Sequence, residues 1–431
     1  MISSVAPERR GRSFGALSVR NFRLYFFGQI ISTAGSWAQI VGTSWLVLKL
    51  TGSGTALGLV GALQALPVLL FAPIGGMLAD RFPKRNVLYA AESMAAFTAL
   101  ALGLLVATDH IELWMVYVLG WLLGCATAVD LPTRQTFVLE MVESRHVTSA
   151  VSMNSVVANI ARVLGPAIAA LVIATGGLGT CFLVNAASYL LFLGVLCFLD
   201  PAQLHASAAP PRAPKQLREG FAYVRRTPTL FVSLLMLAVI GTLAYEMQVI
   251  LPLVARFTFD GDAGTYSLMV MSMGAGAIVA GTIVAAGGNR SPRALGRAAM
   301  LYGVLICVAA LAPNLVTALV ALAFVGAASI MLISYGNATL QLAAAPEMRG
   351  RVMALWTVAL VGSTPIGGPI VGWIGERFGP RWGLALGGIA SLLAGALAYR
   401  HLCAIEQEHA TDPEPEPDLG VVVAESVAEG N

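Results

Sequence analysis

Ionisable residues are scarce in this sequence, and the few that fall inside its apolar runs are the ones equipped for chemistry. Glu246 stands in Ala244-Tyr245-Glu246-Met247-Gln248, Glu92 and Asp130 interrupt two earlier runs, and Arg134 and Arg162 complete the set. A charge in hydrocarbon is costly unless it is paired or wet, so each is a functional candidate by default. Only a group that changes protonation between two aqueous faces carries a proton, which singles out the acids. Among them Glu246 is preferred and Asp130 comes next, while Glu92 lies too near the end of its run. Ser155, Asn159 and Arg162 at i, i+4 and i+7 share one helix face, with Arg162 ~20 Å into its run. For both Glu246 and Arg162 the competing reading is an ion pair that only assembles helices.

These residues need elements that cross a bilayer. The chain has 431 residues, 57% hydrophobic and 11% charged, with a mean hydropathy of +0.77, whereas a soluble domain carries about 25% charged residues. Apolar runs predict twelve spans, near 22–48, 56–79, 87–107, 113–138, 148–175, 178–199, 230–254, 263–287, 295–312, 315–342, 352–375 and 382–399. No apolar core precedes Phe22, so a cleavable signal peptide is not expected. Of the 26 lysines and arginines, only Lys49, Arg256, Arg377 and Arg381 fall on one side of this arrangement, with Arg134 and Arg162 inside or at the edge of helices. The rest mark the other side as cytoplasmic, together with both termini.

The expected organisation is 1–21 a cytoplasmic N-terminus, 22–199 a six-helix bundle, 200–228 a cytoplasmic linker, 229–400 a second six-helix bundle and 401–431 a disordered acidic tail. Leu217 to Arg226 reads as an amphipathic helix on the membrane surface. Gly165-Pro166 and Gly176 recur as Gly368-Pro369 and Gly379 at a constant offset, and Arg81-Phe-Pro83-Lys84 recurs as Arg290-Ser-Pro292-Arg293. Such a repeat predicts two pseudo-symmetric bundles related by an axis along the membrane normal.

Between the second and third runs, Gly76-x-x-x-Asp80-Arg81-x-x-Lys84-Arg85 resembles the signature loop of the major facilitator superfamily, although Pro83 stands where that family commonly has Gly. Asp130-Leu-Pro132-Thr-Arg134, the series Asn154-Ser155, Asn159, Arg162 and Gly165-Pro166, then Pro346-Glu-Met-Arg349-Gly350-Arg351 and Gly367-Gly368-Pro369 resemble the branch that includes the enterobactin exporter and macrolide efflux pumps. The resemblance implies an all-α membrane protein of the major facilitator fold in the inner membrane. It also implies export of a siderophore or other amphipathic compound coupled to protons. In the loop, Asp80 is expected to cap the positive end of a helix in the other half, the one starting near Val352. Arg81, Lys84 and Arg85 are expected to pair with Glu140 or Glu143. The repeated loop has Asn289 in place of the acid, so the gate is expected to be one-sided.

Trp37, Gln39, Gln64, Asn159, Tyr245, Gln248, Tyr335, Asn337 and Trp356 are candidates to line a central cavity, where aromatic surface with a few amides suits a bulky amphipathic ligand. Singly, each fits helix packing or a membrane interface as well. Gly274, Gly276 and Gly281 predict close helix packing.

Other classes lack their residues. The lysines, Lys49, Lys84 and Lys215, do not follow a glycine, so no phosphate loop for ATP is present. The five histidines are scattered through loops and tails, against a membrane enzyme, and the five cysteines show no ligand spacing, against a metal site. No cofactor and no nucleic acid are expected. The implied partners are a small-molecule substrate, protons and membrane lipid, for a chain acting as a monomer. An importer or lysolipid flippase of the same fold shares these features.

Overall fold

The computed structural model describes residues 15–205, 216–285, 292–360 and 362–411. Every regular element among them is helical: α1 (Arg20–Thr51), α2 (Gly54–Arg81), α3 (Lys84–Ala107), α4 (Leu113–Glu140), α5 (Val147–Cys197), α6 (Gln216–Arg226), α7 (Pro228–Leu243), α8 (Met247–Phe259), α9 (Ala263–Ala285), α10 (Pro292–Ala310), α11 (Leu315–Ala343), α12 (Arg349–Leu360), α13 (Thr364–Phe378) and α14 (Pro380–Thr411). Hydrocarbon leaves a backbone no water to bond, so helices that satisfy their own amides are the stable solution. Leu311, Val316 and Ile283 are each at least 67% exposed. A soluble protein would pay for such an apolar surface, whereas lipid solvates it.

Turn chemistry sets the reversals. Gly52, at φ 66°, ends α1, and the Ser53 hydroxyl caps α2 by accepting from the Ala56 amide. Asn314 and Thr317 form a reciprocal capping box at α11. At 51 residues α5 would be ~75 Å long as one rod against a ~30 Å hydrocarbon core, and it breaks at Gly177, whose φ of 80° favours glycine. Among the described residues, ten helical stretches are long and apolar enough to cross a membrane. The count of twelve therefore rests on α5 crossing twice and on the more polar α1.

Two spans that read as continuous in sequence are broken. The seventh parts at Tyr245 and Glu246, between α7 and α8, and the eleventh parts between Leu360 and Thr364. The same helix pairing recurs in both halves: Gly165 of α5 lies against Trp37 and Ala34 of α1, and Gly367 of α13, one residue before the counterpart of Gly165, lies against Thr242 of α7. Gly276 and Gly326 bring α9 and α11 so close that a Cβ would strike backbone, while Gly281 faces open space and takes no part in that packing. The helix α6 is no free surface helix. Glu219 reaches Arg351 at the start of α12 (2.9 Å), the Tyr223 hydroxyl accepts from the Ala345 amide (3.1 Å), and Val224 is buried. Asn289, Arg290 and Ser291, residues 1–14 and 206–215, and the tail beyond Thr411 lie outside the described residues.

Candidate functional site

Three of the charges inside apolar runs converge between α3 and α4. The Arg134 guanidinium is shared by two carboxylates, with Nε donating to Asp130 Oδ2 (2.5 Å) and the other arm to Glu92, and it rests 4.7 Å from the centroid of the Phe192 ring. One helical turn on α4 supplies Asp130 and Arg134, and α3 delivers Glu92, which is 2% exposed. Glu92, disfavoured by its position in sequence, is thus a full member of the cluster. Glu92 Oε2, Asp130 Oδ1 and Arg134 Nη1 are buried without a partner. Two carboxylates facing one guanidinium leave one negative charge for a proton to neutralise. Tyr25, Phe137 and Phe192 wall the cluster with ring centroids 5.5–5.8 Å apart, and this dry wall makes any uncompensated charge costly.

A second group surrounds a cavity of about 130 Å³ between the two halves. α1 contributes Trp37 and α5 contributes Arg162; the break between α7 and α8 contributes Tyr245, Met247 and Gln248, and α9 to α11 complete the wall. The Arg162 guanidinium sits 5.5 Å from the Trp37 ring centroid. Glu246 does not face this cavity, although its neighbours on both sides do. It is 6% exposed and turned toward Thr364, so the breaks in the seventh and eleventh spans meet at its carboxyl. The carbonyl of Ala244, released where α7 ends, is taken by the Tyr302 hydroxyl (3.1 Å).

The remaining cavity candidates are placed elsewhere. Gln39, 3% exposed, accepts from Asn185 (2.5 Å) and so ties α1 to α5 instead of lining the cavity. Gln64 lies against Gly120 of α4. Asn159 donates back to the Ser155 carbonyl (2.9 Å), which occupies its amide within α5. Tyr335 and Asn337 line a separate cavity of about 490 Å³ on α11, together with Gln341, which donates to Asn337 (2.5 Å). Trp356 packs on the core with its buried Nε1 unpartnered.

The two halves pack extensively through α1, α2 and α5 on one side and α8, α9 and α13 on the other, whereas the extensive contacts of α4, α11 and α12 stay within their own halves. The seam is therefore closed at the face where α1 turns into α2. There Gly54 and Gly58 approach Gly372 and Gly368 so closely that any Cβ would meet backbone at 2.0–2.9 Å. Glu376 of α13 reaches over this seam: its Oε2 accepts from the Ser53 hydroxyl (2.6 Å), the Thr55 amide (3.0 Å) and the Thr55 hydroxyl (2.9 Å). An acid at a helix N-terminus satisfies orphan amides and favours the positive end of the dipole. No local motif marks Glu376, because its partners are more than 300 residues away.

At the opposite, basic face, Lys84 pairs with Glu140, and Arg85 donates to Tyr89 (3.2 Å) and to the Cys197 carbonyl (3.0 Å), all within the first half. Glu143 pairs with Arg145 (2.9 Å). Gly76 is buried, Asp80 and Arg81 are exposed, and α12 makes no extensive contact with α2.

A family model described as transmembrane secretion effector matches residues 12–428. The chain is 29% identical over 217 residues to the MFS-type transporter YfiS of Bacillus subtilis and 26% identical over 264 residues to the staphyloferrin A transporter of Staphylococcus aureus. It spans 51% of the former and 65% of the latter, with 49% and 60% of its own length. The enterobactin exporter EntS of Shigella boydii is 23% identical over 91% of this chain and 94% of that protein. In fold, the chain is similar to the nucleoside transporter NupG (TM-score 0.71, 13% identity, 89% of this chain and 100% of that one). It is equally similar to an inward-facing bacterial homologue of the lysosomal transporter Spinster (TM-score 0.71, 13% identity, 89% of this chain and 97% of that one).

Proposed function

Because the chain belongs to the transmembrane secretion effector family, a branch of the major facilitator transporters, we infer that it is a proton antiporter of the inner membrane that exports a small amphipathic compound by alternating access. The observation that carries this reading is a cavity between the halves, aromatic and apolar with a few polar groups, sealed at one face and reached by one side chain set from each half. The excess of basic residues away from the seal supports a cytoplasmic position for that face and for the termini, and in this reading the cavity loads from inside. The names of relatives support the direction, including the enterobactin exporter and macrolide efflux protein A of Streptococcus pyogenes, which is 22% identical over 85% of this chain and 93% of that protein.

Protons enter at the Glu92, Asp130 and Arg134 cluster or at Glu246; Glu92 and Glu246 are buried and Asp130 half-buried. In this reading protonation removes the surplus charge of the cluster in one state and its loss restores it in the other, which couples proton flow to the swing of the halves. Everted vesicles under an imposed pH gradient test the coupling once metabolite profiling of deletion and overexpression strains has supplied the compound. Substrate addition is expected to release protons, and Asp130→Asn or Glu246→Gln is expected to uncouple transport. Intact transport in both variants would remove these acids from the mechanism. A compound depleted inside the deletion strain, not retained there, would turn the exporter into an importer.

A further inference from the structure

We propose that the central cavity recognises an anionic amphipathic compound through Arg162, which pairs with a carboxylate or equivalent oxyanion of the ligand. This deepens the export reading and rests on its assignment of the cavity as the substrate site. Three observations carry it. Arg162 is the one charged residue among those lining the cavity. Its Nε is buried and lacks a hydrogen-bond partner. The acid closest to it in the wall sequence, Glu246, is directed toward Thr364, away from the cavity.

Arg134, the other cation inside an apolar run, differs in its partners. Arg134 meets two carboxylates supplied by the chain itself, so it is satisfied without any ligand. Arg162 has no such carboxylate among the described residues, and a guanidinium without a counter-charge inside a membrane span is costly. A fork of N–H donors matches an oxyanion in two parallel bonds, a geometry an ammonium does not reproduce. The Trp37 ring, 5.5 Å from the guanidinium carbon, supports the cation by its face and fixes its plane. Beside this anchor Met247, Leu251, Val270 and Met273 offer an apolar wall, which suits a hydrophobic body attached to the anionic head.

The placement also couples binding to motion. Trp37 and Arg162 belong to the first half and the apolar wall to the second, so one molecule bridges both. A ligand shifts a conformational equilibrium only through contacts that differ between its states, and a bridge of this kind supplies such contacts.

The test is binding by full-length protein in nanodiscs, followed calorimetrically with three probes of one shape: 2-naphthoate, 2-naphthylmethanol and 2-naphthylmethylammonium. Wild type is expected to bind the anion about tenfold or more tightly than the neutral and cationic probes. Arg162→Gln is expected to erase that preference while naphthylmethanol binding persists, which reports that the cavity is still folded. Arg162→Lys is expected to keep a reduced preference. Gln248→Glu, which puts an acid into the same wall, is expected to weaken anion binding and spare the neutral probe. A wild type that favours the cation or shows no preference, or an unchanged preference in Arg162→Gln, overturns the proposal. The two readings fail separately: an exporter of cations would sink only the anion site, and an importer of anions would sink only the direction.

Discussion

The two ends of α2 are held by different kinds of partner. At its start, Ser53 and Thr55 are bonded to Glu376 and the Gly54–Gly58 stripe is flush with Gly368 and Gly372, all contributed by the other half. Around the turn at its far end, Lys84 and Arg85 bond to Glu140, Tyr89 and Cys197 of their own half. Asp80 is the acid expected to cap a helix across the halves; at the other end of α2 the structure has a cross-half cap in which the acid, Glu376, sits on α13 and the capped helix is α2. In the proposed alternating-access cycle, a helix N-terminus met by a carboxylate across the seam would be a contact made in one state and broken in the other, so the two ends would act as alternating latches. The structure holds the latch opposite the basic face closed.

This contrast can be broken most forcefully at the glycines. A side chain at Gly58 would meet the Gly368 carbonyl oxygen at 2.2 Å, and backbone on both sides leaves it no room to move. Gly58→Val is therefore expected to abolish transport and to hold the seam apart. Spin-label distances between α2 and α13 would lengthen; an unchanged distance together with normal transport would remove the seam from the cycle. Asp80→Asn is expected to impair transport strongly by lowering the population open away from the basic face. Its cavity affinity, measured in a trapped state, should stay close to wild type, and a substitution at Asn289 should do less harm. Equal harm at both positions would end the one-sided gate.

Glu376→Gln is expected to act in the opposite sense and more mildly. It keeps hydrogen-bonding atoms but removes the charge at an exposed helix terminus, where such a charge contributes about 0.3–1 kcal/mol. The seam should open a few-fold more often, read as faster alkylation of a cysteine placed on α13. Lys84→Ala is expected to have the smallest effect on that same rate, since its partner Glu140 is in its own half. If Lys84→Ala moved the seam more than Glu376→Gln, the distinction between cross-half and within-half contacts would lose its meaning.

Much of this was legible from residue types. The predicted run 315–342 is helix α11 at Leu315–Ala343, and 87–107 is α3 at Lys84–Ala107, because a membrane span needs only length and low polarity. Charge in an apolar run is expected to be held by partners or burial; Asp130 and Arg134 are half-buried and paired with each other, and Glu246 is buried. The broken spans had weaker signals: Gly362-Ser363-Thr364-Pro365 contains a proline suited to the first turn of a new helix, and Tyr245-Glu246 is a polar pair within an apolar run. A hydropathy reading averages over both. The amides misled for a related reason. Gln39 reads as a cavity amide, yet its oxygen accepts from Asn185 and ties α1 to α5.

What the sequence determined by itself is the membrane environment, the two-fold repeat and the handful of charges that need an explanation, because each follows from local composition and order. What only the tertiary structure decided is who faces whom. It brought Glu92 to the guanidinium of Arg134, turned Glu246 away from the cavity that Tyr245 and Gln248 line, left Arg162 there without an acid among the described residues, and set Glu376 over the start of α2. Those outcomes depend on helix rotation and on partners hundreds of residues apart, and hydrophobic periodicity carries no information about either when lipid and protein interior are equally apolar.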